Sequence, residues 1–332
     1  MGIKSLNTFI TTNANNSILD TKISSLEGKR IAIDTSIFAY KFMYSGKFIE
    51  NFIQQVSHFA KHNISPIYVF DGAPPKEKQE TLNSRKENKE KLCLKITELQ
   101  AEINTKKQLK EDVKSLVFKL ADIKRKCITI TRDDIMNLKN VFNILGVSYI
   151  QADCEADLVC CELYKRSIVQ ACMSNDMDFL PSGCGMLVRN YNLSDNVTLY
   201  DLNVLLNQLE LNYDQFVDFC ILCGCDYTGK ISRLGTATAY KLIKLDNNIE
   251  TILEKYCGEG KKYKFPTNFE FQKARTILKN ENQNKNVNLD IRNNTNHKKT
   301  FTEISSQVSY IKSLTKYTDK QLENRLQNIC SV

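Results

Sequence analysis

Seven acidic residues stand where a fold could gather them. Asp34 closes the apolar run Ile31-Ala32-Ile33 and Asp71 closes Tyr68-Val69-Phe70. Asp176 and Asp178 follow an apolar stretch at 168–174, Glu155 and Asp157 follow another at 147–150, and Asp226 sits in a loop after an apolar helical pattern. Taken singly, each reads first as a turn former or helix cap, the common use of aspartate at a strand end. Together they point to chemistry. Gathering so many anions costs several kcal/mol in repulsion and desolvation unless a cation compensates. Oxygen donors with no histidine or committed thiolate beside them suit Mg2+, with Mn2+ as a substitute, better than zinc. Two such ions about 4 Å apart can activate a water and stabilise the leaving oxygen of a phosphoryl displacement. Asp176 and Asp178 are two positions apart, so an extended backbone would put them on one face.

The elements that must carry these residues can be read from periodicity. Short β-type runs at 30–33, 66–70, 147–150, 168–174, 186–191 and 197–200 alternate with helical patterns, of which 38–61, 133–145 and 155–166 are the clearest. That alternation predicts an α/β fold with a central, mostly parallel sheet flanked by helices, and sites in such sheets form outside the carboxyl ends of the strands. Three strands ending in acids would therefore bring those acids together. Residues 76–126 differ from their surroundings, with 15 Lys/Arg against 9 Asp/Glu and no Pro or Gly. Such a segment should be helical and solvent-facing; a charged helical hairpin is its ordinary use. Past residue 200 the pattern is helical at 213–223, 236–244 and 248–256, and a last helix at 319–329 has Thr318 as its cap. Residues 280–299, rich in Asn and Lys, read as an exposed loop.

Composition narrows the class. A chain of 332 residues with 42% hydrophobic content can fill a sizeable core, and a net charge of +8 is compatible with a polyanionic partner. Twelve cysteines in a long chain without a basic-then-apolar leader read as reduced thiols of a soluble, intracellular protein. Cys220, Cys223 and Cys225 include a CxxC step, but no second pair accompanies it and the histidines are His58, His62 and His297. We read these cysteines as small buried residues of a helix end rather than a zinc site. No apolar run is long enough to span a bilayer.

The ordered motifs Met1-Gly2-Ile3-Lys4-Ser5-Leu6, Ile33-Asp34-Thr35-Ser36, Val69-Phe70-Asp71-Gly72-Ala73-Pro74-Pro75, Glu155-Ala156-Asp157, Asp176-Met177-Asp178 and Cys223-Gly224-Cys225-Asp226-Tyr227 resemble those of the flap endonuclease and 5′-to-3′ exonuclease family, the XPG/Rad2-like structure-specific nucleases. The resemblance covers residues 1 to about 256. It implies a PIN-like 5′ nuclease fold, with core parts at 1–75 and 131–210, a helical arch at 76–130, a helix-two-turn-helix region at 211–260 and a helical extension at 261–332. It also implies that Asp34, Asp71, Glu155 and Asp157 hold one metal while Asp176, Asp178 and Asp226 complete a second. Lys78 and Arg85 match the arch-base cations on the scissile phosphate, Tyr40 matches the aromatic that stacks on the neighbouring base, and Gly2 would lie near the DNA junction. Lys230 to Ala239 resembles the duplex grip, with K+ as its monovalent ion and with contacts on Lys230, Arg233, Gly235 and Lys241. The partner implied is branched or nicked DNA, acted on by a monomer in the nucleus or at a cytoplasmic site of DNA replication.

Several departures from the family stand out. The family's Gly-hydrophobic-Gly is here Arg233-Leu234-Gly235, and the basic pair after it is Ala237 and Thr238. Asp157 stands where flap endonucleases usually have Glu. Only 37 positions separate Asp34 from Asp71, which argues against a full pocket for a 3′ flap. The tail Leu326-Gln327-Asn328-Ile329-Cys330-Ser331-Val332 carries no sliding-clamp peptide. A Holliday-junction or bubble nuclease of the same family, a DNA-binding scaffold without catalysis, and an RNA-directed PIN-type nuclease are the competing readings. The intact seven carboxylates speak against the scaffold, and the long arch speaks against the last. The abundance of Asn, Lys and Ile suggests an AT-rich genome, such as that of a large DNA virus.

Overall fold

Period-two burial sorts the strand side chains onto two faces of one sheet. In the computed structural model, which describes residues 3, 5–280, 289–293 and 299–330, Ala32, Val69 and Cys172 face one apolar layer while Ile33, Phe70 and Met173 face the other. The strands are β1 (Ile18–Lys22), β2 (Arg30–Asp34), β3 (Ser65–Phe70), β4 (Ser148–Gln151), β5 (Ala171–Met173), β6 (Met186–Arg189) and β7 (Asn196–Asp201). Among the described residues they form one seven-stranded sheet of order β1-β7-β6-β5-β2-β3-β4. Strands β2 to β6 pair in parallel, and β7 runs antiparallel to both β6 and β1. Because β3 and β4 extend the sheet to one side of β2 and β5 and β6 to the other, the order reverses between β2 and β5. A crevice opens at the carboxyl ends at such a switch point.

The expected α/β sheet flanked by helices is present, with local differences. Strand β1 escapes the sequence because Ile18-Leu19-Asp20-Thr21-Lys22 lies on an edge and is only partly buried, which leaves little apolar alternation to read. The single helix expected at 38–61 is two, Thr35–Tyr44 and Phe48–Lys61. Gly46 at φ 70° turns the chain between them, the left-handed conformation that ends helices, and the apolar pattern runs on across the break. The strand expected over 168–174 keeps only Ala171–Met173, since Ser167 sits at φ 57° and Ser174 turns toward β2.

Residues 289–293 correct part of the exposed-loop expectation. Arg292 exchanges backbone hydrogen bonds of 2.8 and 3.2 Å with Tyr149, and Leu289 and Ile291 pack against the core. This segment covers the otherwise open edge of β4, which protects it from pairing with other chains. Residues 281–288 and 294–298 lie outside the described residues. The C-terminal helix Asp319–Cys330, capped by Thr318 as expected, buries Leu322, Leu326 and Ile329. Asn328 donates to the Ser57 hydroxyl at 3.3 Å, which places this helix along Phe48–Lys61.

The basic insertion is a helical hairpin, a short turn at Lys76–Lys78 followed by Gln79–Gln108 and Lys114–Lys126. The first helix has 30 residues, about 45 Å at the standard rise. Only Leu99 and Ile103 on it and Ile123 on its partner are buried, so packing joins the two helices there while most of each stays solvated. At the base, Arg125 lies 5.5 Å over the Tyr44 ring and braces the second helix against Thr35–Tyr44.

Candidate active site

Five segments supply the acids, and backbone geometry explains how each is aimed. Asp34 ends β2 and caps the helix Thr35–Tyr44, accepting the Ser36 N–H at 3.1 Å. Asp71 follows β3 and accepts the Ala156 N–H at 2.8 Å, so it sits at the positive N-terminus of the helix that Glu155 and Asp157 open. Gly72 makes this docking feasible. Its N–H donates to the Cys154 carbonyl at 2.7 Å, and a Cβ there would fall 2.3 Å from the Ala152 oxygen. The expectation that Asp176 and Asp178 lie along an extended face is corrected: they belong to a 3-10 turn, Met177–Phe179, that Asp176 caps by accepting the Asp178 N–H at 3.1 Å. Capping and site membership coincide here, so the structural reading of these aspartates and the functional one are compatible.

Hydrogen bonds tie the acids into one cluster. Ser174 donates to Asp34 at 3.1 Å and accepts the Asp176 N–H at 3.1 Å. Ser36 donates to Asp71, and the Ile3 N–H donates to Asp178 at 2.8 Å. Tyr227 donates to Glu155 at 2.9 Å. Lys78 and Arg85 enter from the root of the basic hairpin. Lys78 pairs with Glu155 and lies 3.9 Å from Asp226, and Arg85 meets Asp226 at 2.7 Å. Ser36, Ser174 and Tyr227 were not expected from sequence as site residues. Ser36 and Tyr227 lie within motifs that could have flagged them, whereas nothing local to Ser174 signals its role.

Electrostatic strain runs through the cluster. Burial, then Asp71 and Asp176, raise Asp34 to about 7. Burial and Glu155 push Asp157 well above the carboxylate range, and burial with Asp176 and Asp226 does the same to Asp178. Burial alone would lower Lys78, but Glu155, Asp157 and Asp226 outweigh it and hold the ammonium above its ordinary value. The acids are thus under-compensated by Lys78 and Arg85.

The remaining expected residues lie elsewhere on the surface. Tyr40 is 55% exposed on the helix that starts at Asp34. Lys230, Arg233, Gly235 and Lys241 are exposed around the loop that joins helix Tyr213–Cys223 to helix Thr236–Asp246. Gly2 lies outside the described residues.

Residues 1–92 match the XPG N-terminal domain and residues 146–226 the XPG I-region. The flap endonuclease 1 of Entamoeba dispar is 32% identical over 298 residues, spanning 84% of this chain and 75% of that protein. This chain belongs to the flap endonuclease family. The flap endonuclease 1 of Cryptosporidium parvum is 33% identical over 318 residues, 86% of this chain, and the match spans only 62% of that relative's length. Among solved structures, the catalytic core of Rad2 in complex with DNA substrate superposes with a TM-score of 0.72 at 18% identity, covering 99% of this chain and 100% of that one. Flap endonuclease-1 from Methanococcus jannaschii gives 0.66 at 21% identity over 99% and 98%. At these identities the structural likeness establishes the fold.

Within this chain, Arg233 stands at φ 62°, a backbone conformation that glycine adopts without steric cost. Arg233→Gly is therefore expected to stabilise the protein by about 0.5 to 1 kcal/mol, once the greater unfolded freedom of glycine is subtracted. Urea unfolding measures this. A lower midpoint for the variant would show that Arg233 contacts outweigh the backbone cost.

Proposed function

We propose that this chain is a metal-dependent, structure-specific 5′ nuclease that hydrolyses DNA phosphodiesters at 5′ flaps, nicks or ends. The observation that carries the reading is the entry of Lys78 and Arg85, from the root of the arch, into the cluster of seven carboxylates. Cations that also point at a bound phosphate would stabilise charge where it develops.

The donor set fits a pair of hard divalent cations, since every candidate ligand is a carboxylate oxygen and their repulsion is only partly relieved. Asp34, Asp71, Glu155 and Asp157 would hold one ion, and Asp176, Asp178 and Asp226 the other. Mg2+, replaceable by Mn2+, would supply charge neutralisation of the phosphate and a lowered pKa for the attacking water. Asp157 is a shorter arm than the usual Glu, and burial together with the Glu155 charge makes it dependent on that compensation. Tyr40 offers an exposed ring, on the helix that Asp34 caps, for a base. Lys230, Arg233, the Gly235 amide and Lys241 would contact duplex phosphates without reading sequence, with K+ held by the same loop.

Cleavage of 5′-labelled flap, nicked, gapped and four-way-junction DNA in Mg2+, with products sized, tests the proposal. Cutting at the base of the flap and at the nick is expected. Cutting confined to the four-way junction would reassign the chain to junction resolution, and inertness toward every DNA in both Mg2+ and Mn2+ would overturn it. The short interval between Asp34 and Asp71 further predicts equal rates on a double flap and on a flap without the 3′ nucleotide; a strong preference for the double flap would contradict this.

The raised acids make a pH prediction. A carboxyl whose folded pKa lies above its unfolded one binds a proton in the native state that the unfolded chain has released. Stability of the metal-free protein should therefore fall as pH rises from about 4 through the value of about 7 reached by Asp34. Saturating Mg2+ should offset this loss, adding on the order of 2 to 3 kcal/mol at about 100-fold excess over Kd. The gain in unfolding temperature should be larger at pH 7.5 than at pH 5. A Mg2+ effect independent of pH would separate the ion from these carboxylates.

A further inference from the structure

Two of the three histidines in the chain meet an aspartate on a part of the fold that shares no residue with the carboxylate cluster. His58 lies in the last turn of helix Phe48–Lys61 and His62 follows at the cap, so the imidazoles stand one turn apart, with ring centroids separated by 5.1 Å. Asp195, in the turn between β6 and β7, reaches both. Its Oδ1 lies 2.9 Å from His58 Nε2 and 3.8 Å from His62 Nε2. The turn is pinned by the Ile23 N–H, which donates to the Asp195 carbonyl at 2.6 Å. Among the described residues, this is the group of three or more potential ligands whose donor atoms all lie within 4.8 Å of one another.

Three features go beyond a histidine-aspartate contact. A tetrahedral ion bound at about 2.0 to 2.1 Å sets its ligand atoms about 3.3 Å apart, and the separations of 2.9 and 3.8 Å bracket that value. His58 also has the outer partner that orients a metal ligand: its Nδ1 lies 2.8 Å from the Tyr191 hydroxyl, and the Tyr191 ring is buried and stacked on the imidazole at 5.8 Å. A hydroxyl both donates and accepts, so it serves either tautomer of His58. Finally, the Asp195 side chain is 61% exposed and that of His62 27%, which leaves a route for an ion and for a water as fourth ligand.

We propose that His58, His62 and Asp195 form a second cation site, for a borderline divalent ion of the zinc class. Two imidazoles and one carboxylate select such an ion over Mg2+, which prefers oxygen donors alone. Bound there, the ion would clamp the end of helix Phe48–Lys61 to the turn before β7. The inference is independent of the nuclease reading and of the carboxylate cluster.

The test uses the full chain, stripped by chelator and titrated with Co2+ in excess Mg2+, which competes for the carboxylates. One equivalent of Co2+ with the intense visible band of a four-coordinate site is expected, displaced by Zn2+. His62→Ala and Asp195→Ala should each weaken binding at least about tenfold, and Tyr191→Phe, which removes only the outer partner, by about tenfold. His297→Ala should change nothing. Circular dichroism and urea midpoints check folding, and should His62→Ala fold poorly, Asp195→Asn carries the comparison. Absence of Co2+ uptake, undiminished uptake in folded His62→Ala and Asp195→Ala, or a sulfur-to-cobalt charge-transfer band in its place would overturn the proposal.

Discussion

Asp176→Ala is expected to lower turnover of a 5′-flap substrate by on the order of 10^3-fold or more while DNA affinity barely moves. Asp176 contributes to the burden on three neighbours, since its charge is among the causes that raise Asp34, Asp157 and Asp178. Removing it takes away one ligand of the proposed second ion, whereas DNA affinity should rest on Lys and Arg contacts to phosphate. Alanine also deletes the cap on the turn Met177–Phe179, a loss of about 1 kcal/mol that would not unfold the chain. Asp176→Asn keeps a capping oxygen and removes only the charge, so it should lose as much activity. Without metal, that variant should unfold at a higher temperature than the parent, because repulsion in the cluster is relieved. Cleavage that persists in Mg2+ with either variant would remove Asp176 from the metal set.

Lys78→Ala should cost about 10^2-fold in kcat with KM little changed, and Arg85→Ala should act in the same direction. Seven positions separate them, two helical turns, so both side chains face the acids. Lys78 is the more enclosed, 14% exposed against 48% for Arg85, and its ammonium sits 5.7 Å from the Tyr227 ring centroid. Its raised pKa keeps it charged throughout the neutral range. Without divalent ions Lys78 pairs with Glu155; in the proposed mechanism, bound ions would release it to meet phosphate. Two measurements separate these roles. Unfolding temperature in chelator should fall in Lys78→Ala and recover in Mg2+, while kcat stays low in both. An equal loss in substrate affinity and turnover would instead mark Lys78 as an ordinary backbone contact.

The chemistry of this chain is written locally. Apolar runs that alternate and then end in Asp34 or Asp71 specify both a strand and an acid at its carboxyl end, because strand periodicity and the place of sites in parallel sheets are short-range rules. The basic, proline-free segment 76–126 likewise specified helices and solvent exposure. What needed the tertiary structure were pairings between residues far apart in the chain. Ser174 meets Asp34 across 140 positions, Arg85 meets Asp226 across 141, and His58 meets Asp195 across 137. Edge strand β1 and the turn at Gly46 were hidden for a related reason: one has too little buried surface to pattern its sequence, and the other interrupts a helix without interrupting the apolar face. Local composition sets which groups are available. Only the packing of helices on the two faces of the sheet decides which of them come within a few ångströms, where charge and hydrogen bonding act.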